Sequence, residues 1–573
     1  MRESLASAPP RTFFWILVIL LASTLFHRVH YLPLRDYRET RIAQMAREAQ
    51  EGHWLIPHLN GTPYLNKPPL APWMVAASFK CLGVGQWQAR LPVILATLWS
   101  AIVVGWLTRR IFGKGKGLLG ATLFLGAPGI QYYGRMLMSD VLAMAWMVTA
   151  LAAFLNGYLG GGRRWYSLGF AACGLGVMSK GLTALVYPVG ALILFALMVD
   201  RRVLKDVPWL TGGLIFLILT APWFILVEVE QPGFLHHHLV RQQLERVVAH
   251  GGYPFVALPR WQLLLSFLGL LGPVALLIPW TVGAVRGHGA AHRIAWIFGL
   301  VVLVSVLLSA GRNHPYTVPA IPAMICVVAG WLGALSRDFP GFARAGPALL
   351  VSLTGAAILG CLPWIGKILE GISPLLLEPG TRITVQICLG IVGLFSVTGA
   401  WFIWRGKGSY AAFFLAAVMV PGALMLSNVQ ERISPLESRA YLGQLVARET
   451  PAHWPLIVAD PSDRQFEGTG GWGFYARRRV LMVEFESGPA PHIQTVSKPD
   501  WIISADELLD EIIAARPMAL AATREAVEML DLRSLPPPAA HDNKFTLWIL
   551  RSVARQEGGP PPGPGSTTGP PPP

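Results

Sequence analysis

Charged residues are scarce in this sequence. Asp, Glu, Lys and Arg together make up only 14% of the 573 residues, whereas 53% are hydrophobic and the mean hydropathy is +0.48. A chain of this length would ordinarily form three or four soluble domains, but so apolar a composition excludes that organisation. The sequence instead predicts a polytopic α-helical membrane protein.

Cysteine is also rare. An odd number of cysteines without any C-x-x-C spacing predicts neither a disulfide framework nor a zinc site. No set of His, Cys, Asp or Glu residues has the spacing of a ligand set, so the sequence assigns no metal-binding residue and leaves a divalent metal open as a cofactor. The five cysteines all lie in or beside apolar runs: Cys81, Cys173, Cys326, Cys361 and Cys388.

Long apolar runs predict about thirteen transmembrane helices. The first run follows Arg2 and Arg11 and is similar to a signal peptide, but it is long enough to span a bilayer and no small-residue cleavage site follows it. We therefore expect an uncleaved first helix. A weaker segment at 68–81 is assigned to the membrane interface. The predicted spans are residues 12–32, 91–106, 117–131, 141–159, 165–178, 182–199, 209–227, 261–285, 295–309, 317–335, 347–368, 383–404 and 411–426.

Positive charge exceeds negative charge by 15, from 47 Lys and Arg against 32 Asp and Glu. The basic residues form short clusters between the apolar runs, which indicates membrane topology rather than a nucleic-acid partner. If the N-terminus is cytoplasmic, every cytoplasmic loop carries at least two basic residues, as the positive-inside rule requires. We therefore predict a cytoplasmic N-terminus, extracytoplasmic loops at 33–90 and 228–260, and an extracytoplasmic C-terminal region.

The composition changes after the last apolar run. Short strand-like runs, at 456–459, 479–485, 501–504 and 545–550, alternate there with helix-like stretches at 435–448 and 506–515. This alternation predicts a small α/β domain. We therefore divide the chain into a transmembrane domain at 1–428, an extracytoplasmic α/β domain at 429–555 and a Pro- and Gly-rich tail at 556–573 that is predicted to be disordered.

Carboxylates lie at the predicted outer ends of two segments. Asp36 and Glu39 stand at the start of an amphipathic stretch at 40–49, which predicts a helix lying on the membrane surface with its polar face toward water. Asp140 begins the span at 141–159. Each carboxylate has a purely structural interpretation, because acidic side chains stabilise the first turn of a helix. Each is also a candidate catalytic residue, since ionisable groups at a membrane boundary are default site candidates.

Basic residues occur on the same predicted side. Lys67, in N-K-P-P, is either an interfacial anchor or a cation that a proline-framed turn holds against a lipid phosphate. Arg312 and Tyr316, in G-R-N-H-P-Y, lie at the outer mouth of a span, where the positive-inside rule disfavours a guanidinium. The run H-H-H-L-V-R-Q-Q-L-E-R contains Arg241 and Arg246. Its adjacent histidines point in different directions, so we predict a solvated or headgroup-facing loop rather than a metal site.

Together these motifs resemble those of the polyprenyl-phosphate-dependent membrane glycosyltransferases of the C-type fold. This family is close to the 4-amino-4-deoxy-L-arabinose lipid A transferases and related to the protein O-mannosyltransferases. The strongest stretch is 38–90, where E-T-R-I-A-Q-M-A-R-E resembles the family's D-E-T-R-Y-A-E-I-A-R-E, and N-K-P-P resembles its E-K-P-P. Asp140 matches the family's second acidic residue, the run at 236–246 its outer H-x-x-x-R loop, and Arg312 with Tyr316 its K-x-x-x-Y-x-x-P. The resemblance covers about 14–335.

Two positions depart from the family pattern. The family's first aspartate falls on Arg38, which leaves Glu39 matched and Asp36 three residues before it. The glutamate before the family's lysine is replaced by Asn66, while the lysine itself is retained as Lys67. A shifted carboxylate is able to serve the same role, so the resemblance does not decide between Asp36 and Glu39.

The resemblance implies an enzyme that moves a sugar from a polyprenyl (undecaprenyl) phosphate donor to an acceptor such as lipid A or another envelope glycolipid, at the outer face of a bacterial inner membrane. A protein acceptor stays open, and so does a transporter or flippase for lipid-linked sugars. A transporter is expected to carry ionisable residues near mid-span, where this chain has almost none. The resemblance implies catalytic roles for Asp36, Glu39 and Asp140, and binding of the donor phosphate by Lys67, Arg241, Arg246, Arg312 and Tyr316.

Overall fold

The computed structural model describes residues 9–244, 258–284, 290–462, 465–485 and 499–551. They form two compact units. Unit 1 consists of Met1–Ala440 together with Glu467–Phe474, and unit 2 of Tyr441–Phe466 together with Tyr475–Pro573. The domain boundary at 428/429 stays a prediction, and the tail predicted to be disordered lies outside the described residues.

Unit 1 confirms the polytopic helical architecture. Among the described residues, nine helical segments are long and apolar enough to cross a membrane, compared with about thirteen predicted spans. Three shorter apolar helices accompany them, Arg11–Thr24, Leu70–Leu82 and Thr183–Met198. The nine segments are Gln86–Phe112, Ser139–Gly161, Trp209–Glu230, Arg260–Val282, Ala291–Leu308, His314–Ala334, Gly341–Ile372, Pro379–Trp404 and Gly408–Ser434.

The described residues form α-helices with a few 3-10 or π-helical stretches between them. In chain order they are α1 (Arg11–Thr24), α2 (Glu39–Gln50), α3 (Leu70–Leu82), α4 (Gln86–Phe112), α5 (Gly117–Leu125), α6 (Pro128–Tyr133), α7 (Ser139–Asn156), α8 (Arg163–Lys180), α9 (Thr183–Met198), α10 (Val203–Asp206), α11 (Trp209–Glu230), α12 (Arg260–Leu271), α13 (Ile278–Ala284), α14 (Ala291–Leu308), α15 (Ile321–Ala334), α16 (Gly341–Cys361), α17 (Ile365–Ile372), α18 (Pro379–Trp404), α19 (Gly408–Ala417), α20 (Met419–Glu437), α21 (Ala440–Glu449), α22 (Gln465–Ala476), α23 (Ala505–Ile513) and α24 (Arg524–Met529).

The span predicted at 117–131 is divided in the structure. Helix α5 ends at Leu125, and Pro128 begins the short helix α6. Ala127 is extended, with φ −81° and ψ 128°. Proline disfavours the helical conformation in the residue before it, which accounts for the break at Ala127. After this break, α6 ends at Tyr132 and Tyr133, and α7 begins a few residues later at Ser139.

Helix α2 packs its polar face against other protein segments. Most of its residues are buried, including the polar Glu39, Gln44 and Glu48. The Glu48 carboxylate accepts hydrogen bonds from the backbone N–H groups of Asn60 and Gly61 at 2.8 and 3.0 Å. Burial raises the pKa of Glu48 above its usual range, although these bonds oppose the shift. Amphipathic spacing does not distinguish a polar face that meets water from one that binds other protein segments, and the position of α2 at the membrane surface stays a prediction.

Unit 2 contains a six-stranded sheet, in the order β5-β4-β3-β6-β8-β7. Strands β3 to β6 pair in parallel, and β8 and β7 add an antiparallel edge. The core of this unit includes Ile457, Leu520 and Trp548, so the predicted small α/β region is confirmed. Unit 1 adds a two-stranded hairpin of β1 and β2. The strands are β1 (His58–Leu59), β2 (Thr62–Pro63), β3 (Leu456–Ala459), β4 (Val480–Glu484), β5 (Ile502–Ser504), β6 (Met518–Thr523), β7 (Ala540–His541) and β8 (Phe545–Leu550).

Candidate functional site

An ion pair joins the ends of two adjacent helices of unit 1. Asp140 lies in the first turn of α7, and Lys180 is the last residue of α8, which ends where Gly181 takes a φ of +122°. Each charge stands at the helix end whose dipole favours it. The Lys180 ammonium donates to the Asp140 carboxylate at 2.5 Å, and only 10% of the Asp140 side chain and 14% of the Lys180 side chain are exposed. The pair therefore holds two opposite charges at one end of the α7–α8 hairpin.

Aromatic and cationic side chains surround this pair. The Lys180 Nζ lies 4.7 Å from the centre of the Tyr316 ring, a cation–π arrangement. The Arg41 guanidinium lies over the ring of Tyr64 at 5.3 Å and pairs with Glu467. Burial opposes the charge of Arg41, but Glu467 and the phenols of Tyr64 and Tyr316 raise its pKa above the usual value. Tyr316 thus lies within electrostatic range of both Arg41 and Lys180, which brings α2 and α8 to one site.

The loop that carries Lys67 packs against the same end of α8. Leu65 and Leu70, on either side of Lys67, belong to an apolar cluster with Met178, Trp223 and Phe234. Met178 lies two residues before Lys180 in the same helix. The neighbouring Asn66 bonds to the imidazole of His237 at 3.0 Å, which ties this loop to the segment after α11. Lys67 itself is half-buried. We refer to Asp140, Lys180, Tyr316, Lys67 and Arg41 as the polar cluster.

Glu39 is engaged in a buried ion pair rather than exposed in a cleft. Its side chain is fully buried and binds Arg90 through Nε at 2.8 Å and Nη2 at 2.6 Å. The backbone N–H groups of Leu137 and Arg35 donate to the same carboxylate at 2.8 and 3.0 Å. Burial opposes ionisation, but Arg90 and these backbone donors hold the pKa of Glu39 below its usual value. With four donors on two oxygens, this carboxylate anchors the start of α2.

Asp36 is paired as well. Its Oδ2 lies 3.0 Å from Nε of Arg439, and the two side chains are only 6% and 5% exposed. A β-carbon added at Gly471 would stand 2.2 Å from Asp36 Oδ1, so this part of α22 passes directly over the carboxylate. Asp36 therefore joins three segments of unit 1, whereas Asp140, which is also paired and largely buried, is the carboxylate whose partner Lys180 lies over the Tyr316 ring.

The other arginines that were predicted to bind the donor phosphate are Arg312, Arg241 and Arg246. The Arg312 guanidinium donates to the backbone carbonyls of Leu258 at 2.8 Å and Ser309 at 2.6 Å, so it fastens two chain segments together. The side chain of Arg241 and the whole of Arg246 lie outside the described part of the chain. Within the described part, no group of three or more His, Cys, Asp or Glu side chains is placed to hold a metal ion.

Lys180, Arg41, Arg90 and Arg439 are the residues that the sequence analysis missed. A signal for Lys180 was present, because a lysine at the outer end of the run at 165–178 is as unexpected under the positive-inside rule as Arg312. Arg90 and Arg439 gave no such signal. They lie 51 and 403 positions from their partners Glu39 and Asp36, and only the fold brings these pairs together.

The chain is similar in sequence to known membrane glycosyltransferases. The profile of the dolichyl-phosphate-mannose-protein mannosyltransferase family matches residues 66–226. The chain is 28% identical over 417 residues to an undecaprenyl phosphate-α-4-amino-4-deoxy-L-arabinose arabinosyl transferase of Edwardsiella ictaluri, covering 69% of this chain and 74% of that protein. It is 25% identical to the transferase of the same name in Shewanella sediminis, covering 92% and 97%. For other relatives of that name, the match covers less than two thirds of their length, for example 56% in Aeromonas hydrophila.

Solved structures give the fold. The crystal structure of ArnT from Cupriavidus metallidurans bound to undecaprenyl phosphate superposes with a TM-score of 0.81 at 20% identity, covering 96% of this chain and all of that chain. The apo structure of the same protein superposes with a TM-score of 0.80 at 21% identity, covering 93% and 96%. The chain therefore has this fold, with its membrane helices and its small C-terminal sheet region.

Proposed function

We propose that the chain, a multi-pass membrane protein of the C-type glycosyltransferase fold, transfers a sugar from a polyprenyl phosphate such as undecaprenyl phosphate to lipid A or another envelope glycolipid. The observation that carries the proposal is the polar cluster, in which Lys180 pairs with Asp140 and lies over the ring of Tyr316, while the loop that carries Lys67 shares an apolar cluster with α8. The relatives named as arabinosyl transferases for undecaprenyl phosphate-linked aminoarabinose support the donor class.

The cluster suits the charge changes of this reaction. When the acceptor oxygen attacks the anomeric carbon, the bond from that carbon to the lipid phosphate breaks and the phosphate leaves with the electron pair. Fixed cations beside the developing charge stabilise it most in a site that excludes water. Lys67 and Lys180 are the two lysines placed for this task. Asp140 keeps the Lys180 ammonium in position and offers its carboxylate to an acceptor hydroxyl. An acceptor that is itself a phosphate scarcely needs a general base.

The membrane location follows from the same proposal. We infer that the chain lies in the bacterial inner membrane with its N-terminus in the cytoplasm, so that the polar cluster and unit 2 face the periplasm. The distribution of basic residues supports this orientation. The Asp140–Lys180 pair agrees with it, because the predicted topology assigns both residues to the same side of the membrane.

One incubation distinguishes this function from its alternatives. The purified protein is reconstituted in vesicles with a radiolabelled polyprenyl-phosphate sugar and a choice of lipid A or protein acceptors. Transfer to lipid A is the expected result, and transfer only to protein would favour an O-glycosyltransferase. Movement of the labelled lipid across the bilayer without transfer would favour a flippase. The absence of both transfer and movement would contradict the proposal.

Removing the Lys67 ammonium should slow transfer. We expect Lys67→Ala to lower kcat/KM by about 100-fold, because the variant lacks one charge-assisted contact to the leaving phosphate. Steady-state transfer from the labelled donor measures the change. Lys80→Ala, at an exposed lysine in the last turn of α3, is the matched control and should keep wild-type rates. Wild-type kinetics in Lys67→Ala would remove this residue from the phosphate site.

The orientation has its own test. A reporter that is active only outside the cytoplasm should be active when fused after Arg551, at the end of the described C-terminal region. The same reporter should be inactive when inserted next to Lys114, between α4 and α5. The reverse pattern would place the polar cluster on the cytoplasmic side.

A further inference from the structure

The turn before α2 holds Arg38 beside the polar cluster. Tyr37 adopts a left-handed backbone conformation with a φ of +60°, which is uncommon for a bulky residue. On either side of it the chain is fastened to one segment: Arg35 donates to the Tyr132 hydroxyl, and Glu39 accepts from the Leu137 N–H. Both contacts lie within eight residues of Asp140. The turn is thus fixed against the chain that leads into α7.

Arg38 is the exception in a turn where the other charges are paired. Arg35 pairs with Glu437, Asp36 with Arg439, and Glu39 with Arg90. Arg38 is exposed, and within the described residues its guanidinium takes part in no hydrogen bond or ion pair. The turn therefore presents one uncompensated positive charge. A guanidinium has five donors in a planar fork, which suits a carboxylate or a phosphate.

Arg38 and Asp140 of the polar cluster both act on Tyr133. Burial and the neighbouring Tyr132 raise the pKa of Tyr133 above its usual value; Arg38 opposes the shift and Asp140 adds to it. Arg38 and Asp140 therefore both lie within electrostatic range of the Tyr133 hydroxyl. His314, two residues before Tyr316, is also within range of Arg38. A substrate group close to Tyr133 therefore lies within electrostatic range of both Arg38 and Asp140.

We propose that Arg38 is a specificity-determining residue that binds an anionic oxygen group of the substrate, either a carboxylate on the donor sugar or a phosphate on the glycolipid acceptor. The inference rests on the proposed transfer reaction. A guanidinium repels an ammonium group, so Arg38 disfavours an amino sugar at this position. The motif that this turn resembles has an aspartate where this chain has Arg38, which reverses the charge that the sugar meets. If the sugar carries the anionic group, the donor of this chain accordingly differs in charge from aminoarabinose.

The test compares substrates that differ in one charged group. Three polyprenyl-phosphate donors carry a carboxylate, a hydroxyl or an amino group on the same sugar, and two acceptors are lipid A with and without its phosphates. Wild type, Arg38→Gln, Arg38→Lys and Arg38→Glu are compared by kcat and KM for each combination. The matched control is Arg109→Gln, at an exposed arginine in the last turn of α4. Arg109 lies nineteen positions after Arg90, the α4 residue that binds Glu39, which is about 28 Å along the helix.

We expect Arg38→Gln to raise KM for the anionic substrate by about 10- to 100-fold, the loss of one charge-assisted contact, and to change the neutral counterpart by less than about 3-fold. Arg38→Lys should recover part of the loss, and Arg38→Glu should shift preference toward the amino donor. A loss confined to the carboxylate donor identifies the sugar as the anion, and a loss confined to the phosphorylated acceptor identifies the acceptor.

Equal effects of Arg38→Gln on charged and neutral substrates would overturn the proposal. A second contradicting result would be that wild type prefers the amino donor and Arg38→Glu does not strengthen this preference. The reaction itself is judged separately, by whether wild type transfers any of the three sugars. If it transfers none, equilibrium binding of the same donors and acceptors to wild type and Arg38→Gln still decides the role of Arg38.

Discussion

Asp140→Asn should reduce sugar transfer by about 100- to 1,000-fold, because the substitution removes the only carboxylate of the polar cluster while preserving its size. The amide neither compensates the Lys180 ammonium nor orients an acceptor hydroxyl as a carboxylate does. We expect the loss in kcat, with KM for the polyprenyl-phosphate donor changed far less, since the lipid tail and Lys67 still bind the donor. Steady-state transfer in detergent or vesicles measures both parameters.

Substitution of Lys180, the ion-pair partner of Asp140, gives a second, independent measurement of the role of the pair in transfer. Lys180→Gln should also lose activity, but through weaker stabilisation of the leaving phosphate. In the double variant Asp140→Asn/Lys180→Gln we expect a loss much smaller than the product of the two single losses, because residues that act as a pair are strongly non-additive. Asp338→Asn, at an exposed aspartate, is the matched control and should retain wild-type kinetics. Wild-type kcat in Asp140→Asn would exclude this carboxylate from the reaction.

Folding must be separated from catalysis in these variants. The Asp140–Lys180 pair is largely buried, and removing one partner of such a pair leaves an uncompensated charge. The thermal unfolding midpoint and the elution profile of each variant therefore accompany the kinetics. The double variant carries no unpaired charge, so it should unfold closer to wild type than either single variant. Loss of activity in a double variant that is stably folded assigns the effect to chemistry.

Much of the membrane fold could be predicted from hydropathy because bilayer thickness imposes a length on each apolar run. The run predicted at 383–404 appears as Pro379–Trp404, and the run at 209–227 as Trp209–Glu230. The prediction failed where local backbone chemistry intervenes, as at Pro128, which divides one run into α5 and α6. A hydropathy window averages over a single proline and therefore misses this break.

The strands of unit 2 show a second reason why the structure could be predicted only in part from sequence. Strands β3 and β8 coincide with the predicted runs at 456–459 and 545–550, which are rich in branched and aromatic residues. Strand β6, M-A-L-A-A-T, was not predicted. All six of its residues are buried, so it needs no alternation, and its alanines favour helix by propensity alone. Only its pairing with β3 and β8 makes it a strand.

The residues of the candidate site could likewise be predicted only in part. Residue type and position were sufficient to select Asp140, Lys67 and Tyr316, because charged and phenolic groups are expensive at a membrane boundary. They were not sufficient to distinguish Asp36 and Glu39 from Asp140. That distinction depends on Arg439 and Arg90, which stand far away in sequence and neutralise the first two carboxylates. Long-range ion pairs carry no local pattern, so one sequence on its own does not reveal them.

Arg90→Ala should destabilise unit 1 by about 3 to 5 kcal/mol, the usual effect of removing one partner from a buried ion pair. The variant would leave the Glu39 carboxylate, which is fully buried, with only two backbone donors, and would also release the carbonyls of Val29 and Leu32 that Arg90 binds. Thermal or denaturant unfolding in detergent measures the change. Arg524→Ala, at an arginine that is 94% exposed beside Glu528, is the control and should unfold like wild type.

The pH dependence of unfolding tests the role of Glu39 in the Glu39–Arg90 pair. Because the folded protein holds the pKa of Glu39 below its unfolded value, the ionised carboxylate contributes stability above the unfolded pKa of about 4.3, and this contribution is lost as the pH falls through the lower, folded pKa. Wild type should therefore lose stability on acidification more steeply than Glu39→Gln, which has no proton to bind there. Glu39→Gln should also be less stable than wild type at neutral pH, since it leaves Arg90 buried without a counter-charge. Parallel pH profiles for the two proteins would show that Glu39 is not held ionised, and the assignment of this carboxylate to the anchoring of α2 would then fail.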